Sequence, residues 1–196
     1  MKYYVFNKPF QVLSQFSSEE GKLTLSDFLN IDKDCYPIGR LDYDSEGLII
    51  ISNDKKLNDY LLNPINKHKR EYVVQVEGNI QNSDIDKLKR GVNLNIKGKN
   101  HFAKCVDAQI INDYFLPERT PPIRFRANIP TSIIKLSLTE GKNRQVRKMT
   151  AAIGFPTLRL IRVSIENLKI DGINSGEFIQ LNKEEIYKIL KISNIK

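Results

Sequence analysis

Three short segments carry the residues best suited to chemistry. The first is Gly39-Arg40-Leu41-Asp42-Tyr43-Asp44-Ser45-Glu46-Gly47, which runs straight into Leu48-Ile49-Ile50-Ile51. A polar loop with an arginine and carboxylates therefore feeds an apolar strand, and its charged side chains stand at the rim of a hydrophobic core. A carboxylate at such a rim can be partly desolvated and held by an arginine, which suits it to act as nucleophile or base. Two other readings compete. Asp42, Asp44, Glu46 and Gly47 imitate positions one, three, five and six of a calcium loop. Position twelve is then Asn53 rather than glutamate, and the apolar run interrupts the ligand pattern. A plain Asp- and Ser-rich turn capping a strand fits the same composition, and Asp44 and Glu46 are expected to be surface residues of that kind.

The second segment is Thr139-Glu140-Gly141-Lys142-Asn143-Arg144-Gln145-Val146-Arg147-Lys148-Met149-Thr150-Ala151-Ala152-Ile153. Its spacing predicts a helix over 144–153, capped by Asn143 or the residues just before it. Arg144, Arg147 and Lys148 share one face and Val146, Met149 and Ile153 the other. Such a helix can clamp an RNA backbone, turn one cation inward toward a carboxylate, or simply be a solvated amphipathic helix. A P-loop is excluded, since its first glycine falls at Leu136 and Asn143 replaces the Ser/Thr. The third segment is Arg70-Glu71-Tyr72-Val73-Val74-Gln75-Val76-Glu77-Gly78, where alternation places Arg70, Tyr72, Val74 and Val76 on one strand face. Tyr72 there either stacks a base or is ordinary core. His68 and His101 have no partner at ligand spacing with Cys35 or Cys105, so no metal site is expected, and no Cys–His or Ser–His pair can be placed for catalysis.

The elements that must position these residues read as follows. Strands are predicted at Tyr3–Asn7, Gln11–Phe16, Gly47–Ser52, Glu71–Glu77, Lys104–Ile111, Ser132–Thr139, Thr157–Ile165 and Gly176–Leu181. Helices are predicted at Thr24–Leu29, Leu57–Leu62, Ser83–Arg90, Arg144–Ile153 and Lys183–Ile192, with Ser83 as an N-cap. The sum is an α+β fold with more strand than helix. Residues 63–70 form a basic connection. Asp113–Pro130, with four prolines and Arg119, Arg124 and Arg126, forms a long irregular one, either functional or a solvated loop.

Composition bounds the rest. The chain has 196 residues and a formal charge of +8, which permits a polyanionic partner. Apolar residues make up 40% and charged residues 28%, so disorder throughout is excluded. No apolar run approaches the roughly 18 residues of a membrane helix, and the N-terminus has no signal-peptide pattern. Two cysteines 70 positions apart speak against a disulfide framework and for a reducing cytoplasm.

Taken together, the segments resemble the pseudouridine synthases of the ribosomal small-subunit/large-subunit branch. Gly39-Arg40-Leu41-Asp42 with Ser45-Glu46-Gly47-Leu48 resembles the signature around that branch's catalytic aspartate. Arg70-Glu71-Tyr72 matches its Lys-x-Tyr motif with arginine for lysine, Gly141–Met149 resembles its basic Arg-Gln-Val-Arg segment, and Asn7-Lys8-Pro9 is family-like. Residues 120–132 and 155–162 resemble the subgroup that acts on the large-subunit (23S) RNA in the peptidyl-transferase region. Lys55 stands where a glycine is usual, and is expected to alter a turn only.

The resemblance implies a mixed, largely antiparallel bent sheet with flanking helices and a central RNA-binding cleft. It implies one catalytic domain over 1–196, with lobes of approximately 1–64 and 65–196 and no S4-type RNA-binding domain. Asp42 is then the catalytic carboxylate, Tyr72 packs against the target base, Arg147 holds Asp42 ionised, and Arg40 fills the gap left in the RNA stack. Lys142, Arg144, Lys148, Arg119, Arg124 and Arg126 are expected to grip phosphates. The isomerisation is expected to need no metal or other cofactor, and the protein to be a cytoplasmic monomer acting on ribosomal RNA or an assembly particle. From the residues alone, a non-catalytic ribosomal RNA binder or assembly factor, or a synthase acting on another rRNA or a tRNA, remains the alternative.

Overall fold

The computed structural model describes every residue except 113, 124, 125, 127 and 193–196. In chain order its strands are β1 (Tyr3–Lys8), β2 (Val12–Leu13), β3 (Leu23–Thr24), β4 (Tyr36–Pro37), β5 (Glu46–Ser52), β6 (Arg70–Glu77), β7 (Val92–Ile96), β8 (Lys99–Ala103), β9 (Asp107–Ile110), β10 (Thr131–Leu138), β11 (Thr157–Ile165), β12 (Leu168–Lys169) and β13 (Phe178–Leu181). The α-helices are α1 (Lys55–Leu62), α2 (Asn82–Arg90), α3 (Gln145–Ala152) and α4 (Lys183–Ile189). Strand and helix alternate irregularly along the chain, giving the α+β class. Two units form, one from Met1–Arg70 with Ile161–Lys196 and the other from Glu71–Leu160. The division expected near residue 64 misses the return of the C-terminal segment, because β11 carries the chain back into the first unit at Ile161.

In the first unit β1 lies between β13 and β5, antiparallel to both. β5 pairs in parallel with β11, with Glu46 opposite Ile161 and Gly47 opposite Arg162. Period-two alternation sends Tyr3, Val5, Leu48 and Ile50 to a cluster with Leu57, Leu61 and Ile186 of α1 and α4. It sends Tyr4, Phe6, Ile49 and Ile51 to a second cluster with Leu25, Leu29 and Cys35. With both faces covered, β5 needs apolar residues without interruption, which explains the Leu48–Ile51 run. Asp54 caps α1, accepting from Leu57 N, and its other oxygen accepts from the Tyr3 and Tyr187 hydroxyls. Lys55 is the first residue of that helix. The helix expected at Thr24–Leu29 shrinks to one 3₁₀ turn, Leu25–Asp27.

In the second unit the strand order is β6-β10-β9, with β9 and β10 antiparallel. β7 and β8 form a separate antiparallel hairpin where no strand is predicted from the sequence. Tyr72, Val74, Val76, Ile134, Leu136 and Leu138 share one core with Ile85 and Leu88 of α2 and Val146 and Met149 of α3. Two helix starts differ from expectation. α2 is capped at Gln81, whose backbone N–H donates to Asp84 Oδ2 at 3.1 Å, so Ser83 lies inside the helix. α3 begins at Gln145 after Arg144, whose φ of 52° keeps it out of the helix. Asn143 therefore lies one residue before the cap. Among the described residues no helix is long and apolar enough to cross a membrane.

Candidate active site

The loop 39–45 in the first unit is fixed mainly through its own backbone. Ser14 Oγ donates to Leu41 O at 2.9 Å and accepts from Leu41 N at 3.1 Å, so one buried hydroxyl serves both polar groups of the residue before Asp42. Ser45 N donates to Asp42 O and Gln11 N to Tyr43 O. The loop thus presents a half-buried Asp42 and an exposed Arg40 from a main chain tied down on both sides. Ser14→Ala orphans two buried backbone groups and is expected to lower stability by about 1–3 kcal/mol. Urea denaturation measures this, and an unchanged midpoint would remove Ser14 from the support of the loop.

Beneath the loop the sheet holds charges that sequence reasoning missed. Lys8, Glu46 and Arg162 are all buried. The register places Lys8 opposite Gly47 on β1 and Arg162 opposite Gly47 on β11. Lys8 Nζ donates to Pro9 O and Val12 O, each at 2.8 Å, and Arg162 Nε donates to Leu48 O at 2.7 Å. Glu46 was expected at the surface and is instead 5% exposed, because it opens β5 inside the sheet rather than ending the turn before it. Asp44 is half-buried. The signal available was a cation on the inward side of a period-two strand: Leu160, Arg162 and Ser164 are buried on alternate positions of β11.

Burial pushes the Lys8 ammonium down to about 7, against the opposing pull of Glu46, Asp44 and Asp42. Between pH 7 and 10.5 the unfolded chain keeps this proton and the folded chain gives it up, so this group makes stability rise with pH across that window. Below pH 7 both states are protonated and the full cost of burying the charge applies. Lys8→Met is expected to flatten that rise. Urea midpoints measured from pH 7 to 10 check it, and an unaltered slope would contradict it.

In the second unit Tyr72 lies on β6, 8% exposed, within the core that Val74 and Val76 also line. Arg147 on α3 is half-buried, and its Nη1 donates to Thr157 O at 3.4 Å. Thr150 Oγ1 lies 2.7 Å from Thr157 Oγ1, so Arg147 and Thr150 both tie α3 to the first residue of β11. Val146 and Met149 are buried and Ile153 packs against the same core, as the helical spacing requires.

The remaining cations have varied surroundings. Lys142 and Arg144 are exposed before α3. Lys148 Nζ donates to Asn95 O at 2.8 Å. Arg126 is exposed and pairs with Glu77 at 3.1 Å, which ties the irregular segment to β6, and Arg119 is half-buried in that segment. Arg124 lies outside the described residues. His68 contacts Glu166 and Tyr60 O, and His101 contacts Glu140. Among the described residues no group of three His, Cys, Asp or Glu could hold a metal ion.

Residues 2–152 match the model of the RNA pseudouridylate synthase family, and the chain belongs to that family. It is an RNA pseudouridine synthase of mixed-sheet α+β fold. Over 92% of its length it is 43% identical to a Vibrio parahaemolyticus protein named ribosomal large subunit pseudouridine synthase E, of which the match covers 74%. It is 43% identical to a protein of the same name from Xanthomonas axonopodis, over 86% of this chain and 88% of that relative. A solved pseudouridylate synthase superposes over 96% of this chain and 73% of its own, with a TM-score of 0.75 at 22% identity, which establishes the fold.

Proposed function

We propose that this enzyme converts one uridine of large-subunit (23S) ribosomal RNA, in the peptidyl-transferase region, to pseudouridine. The observation that carries this reading is the similarity, over 92% of the chain, to relatives named for the large subunit. The loop bearing Asp42 agrees with it, since its backbone is fixed independently of the carboxylate.

The reaction breaks the N–C glycosidic bond, turns the uracil and rejoins it through C5. No atom is gained or lost, because the hydrogen that C5 gives up is balanced by the one that N1 takes on when its bond to the sugar breaks. The target base must leave its stack at a cost of a few kcal/mol. Arg40, exposed on the loop, offsets part of that cost by stacking in the gap. Asp42 is the catalytic carboxylate, acting at C1′, at C6 or on the C2′ proton. Arg147 keeps it ionised, and Tyr72 packs against the base. Lys142, Arg144, Lys148, Arg119, Arg124 and Arg126 hold phosphates. One catalytic domain does this as a monomer in the cytoplasm.

Carbodiimide-dependent primer extension on ribosomal RNA from cells with and without this gene tests the assignment. One large-subunit stop that disappears with the gene supports it. Loss of a stop in small-subunit RNA or tRNA instead would replace the substrate.

A further inference from the structure

We propose that the β7–β8 hairpin and the N-terminal end of α3 form one surface for a single-stranded segment of the substrate RNA away from the target nucleotide. The proposal deepens the function just stated and rests on it for RNA as the partner. Its first basis is charge. Residues 92–105 and 139–150 hold seven cations against a single acid, Glu140, and so account for six of the chain's eight net positive charges. Several exposed cations elsewhere are neutralised by carboxylates, as in Lys2–Asp32, Lys87–Asp84, Lys89–Asp107 and Lys135–Glu71. Here Glu140 is occupied by His101 Nε2 at 2.9 Å and Gln145 Nε2 at 2.6 Å. Among the described residues Lys97, Lys99 and Lys142 have no carboxylate partner. Unneutralised charge concentrated on one piece of surface favours a polyanion.

The second basis is construction. Lys148 Nζ on Asn95 O and His101 on Glu140 bind hairpin and helix into one piece. At the tip, Gly98 N donates to Asn95 Oδ1, and Lys97 holds a φ of 51°, a conformation in which a lysine is uncommon. The turn thereby sets Lys97 and Lys99 at the exposed end of the hairpin. The third basis is the outward face. Leu94 faces the core, while Asn93, Asn95, Asn100 and Phe102 stand exposed across the two strands. Phe102 is 58% exposed, and one part of its ring lies against Gly91, where an added Cβ would come within 2.3 Å. A fixed aromatic ring with amides beside it and cations at its end suits the stacking of unpaired bases along a gripped backbone.

The two kinds of residue give separable readouts. Binding of a short fluorescent oligouridylate to the full chain is measured across a salt series, with a duplex of equal length as comparison. Lys97→Gln/Lys99→Gln is expected to weaken binding and to reduce the slope of log affinity against log salt by about 1.4, at ~0.7 for each single-strand phosphate that a lysine no longer neutralises. Phe102→Leu, which keeps an apolar side chain over Gly91, is expected to weaken binding about tenfold with the slope unchanged, since stacking releases no counterions. Circular dichroism melts confirm that each variant is folded. Wild-type affinity and slope in the double lysine variant would overturn the proposal, as would equal loss of duplex and single-strand binding in Phe102→Leu. Because the readout is affinity for a generic strand, a wrong ribosomal target would appear in the primer-extension map and leave this result unaffected.

Discussion

Asp42→Asn is expected to cut pseudouridine formation by at least about 10⁴-fold, the scale on which loss of a reacting side chain acts, while RNA affinity stays within a few-fold. Asparagine has nearly the same shape but no anionic oxygen with which to attack carbon or take a proton. The loop does not depend on the carboxylate for its position. Its anchors are Leu41 N and O on Ser14, Asp42 O on Ser45 N, and Tyr43 O on Gln11 N. The substitution therefore separates chemistry from folding. Chromatography of the nucleosides released from treated RNA measures the product, and filter binding measures affinity. Turnover by purified Asp42→Asn within about tenfold of wild type would show that another group does the chemistry.

Gly47→Ala is expected to be the most damaging small substitution for the fold. An added Cβ lands 2.3 Å from Arg162 O and 2.7 Å from Arg162 N, both backbone atoms. Gly47 is held by β1 on its other side at Lys8, so neither strand can retreat without breaking a ladder. Its φ of 108° adds a conformation that alanine rarely adopts. The combined loss is expected to exceed about 3 kcal/mol. Gly21→Ala is the control, because Gly21 also has a positive φ, 72°, yet an added Cβ meets nothing within 4 Å. That variant is expected to lose only about 1–2 kcal/mol of left-handed backbone cost. Urea denaturation of both variants checks the difference. Equal midpoints would mean that the β5–β11 contact yields more easily than its geometry implies.

Much of this was legible in the sequence where periodicity acts locally. The apolar and aromatic segment Tyr3–Asn7 and the continuous run Leu48–Ile51 each specify a strand, the Val146/Met149 spacing specifies a helix and its buried side, and all three elements are found there. The β7–β8 hairpin is harder to see, although Val92, Leu94 and Ile96 alternate with asparagines and Gly98 marks the turn. Its signal is short, and the lysines and asparagines around it read as loop. The buried charges were illegible for a different reason. Lys8, Glu46 and Arg162 meet only because β1 and β11, over 100 residues apart, pair on either side of β5. No local pattern encodes that pairing. Ser14 belongs to the same class, since its partner Leu41 is 27 residues away. The Asp42 motif was recognisable by its residue types, whereas what holds it in place is tertiary.

The most direct test uses purified protein and transcripts of large- and small-subunit ribosomal RNA, treated in parallel and mapped by carbodiimide-dependent primer extension. The expected result is one new stop in the peptidyl-transferase region of the large-subunit transcript, present with wild type and missing with Asp42→Asn. A transcript unmodified by wild type in both naked and particle-bound form, or a stop that persists with Asp42→Asn, would contradict an Asp42-dependent large-subunit pseudouridine synthase.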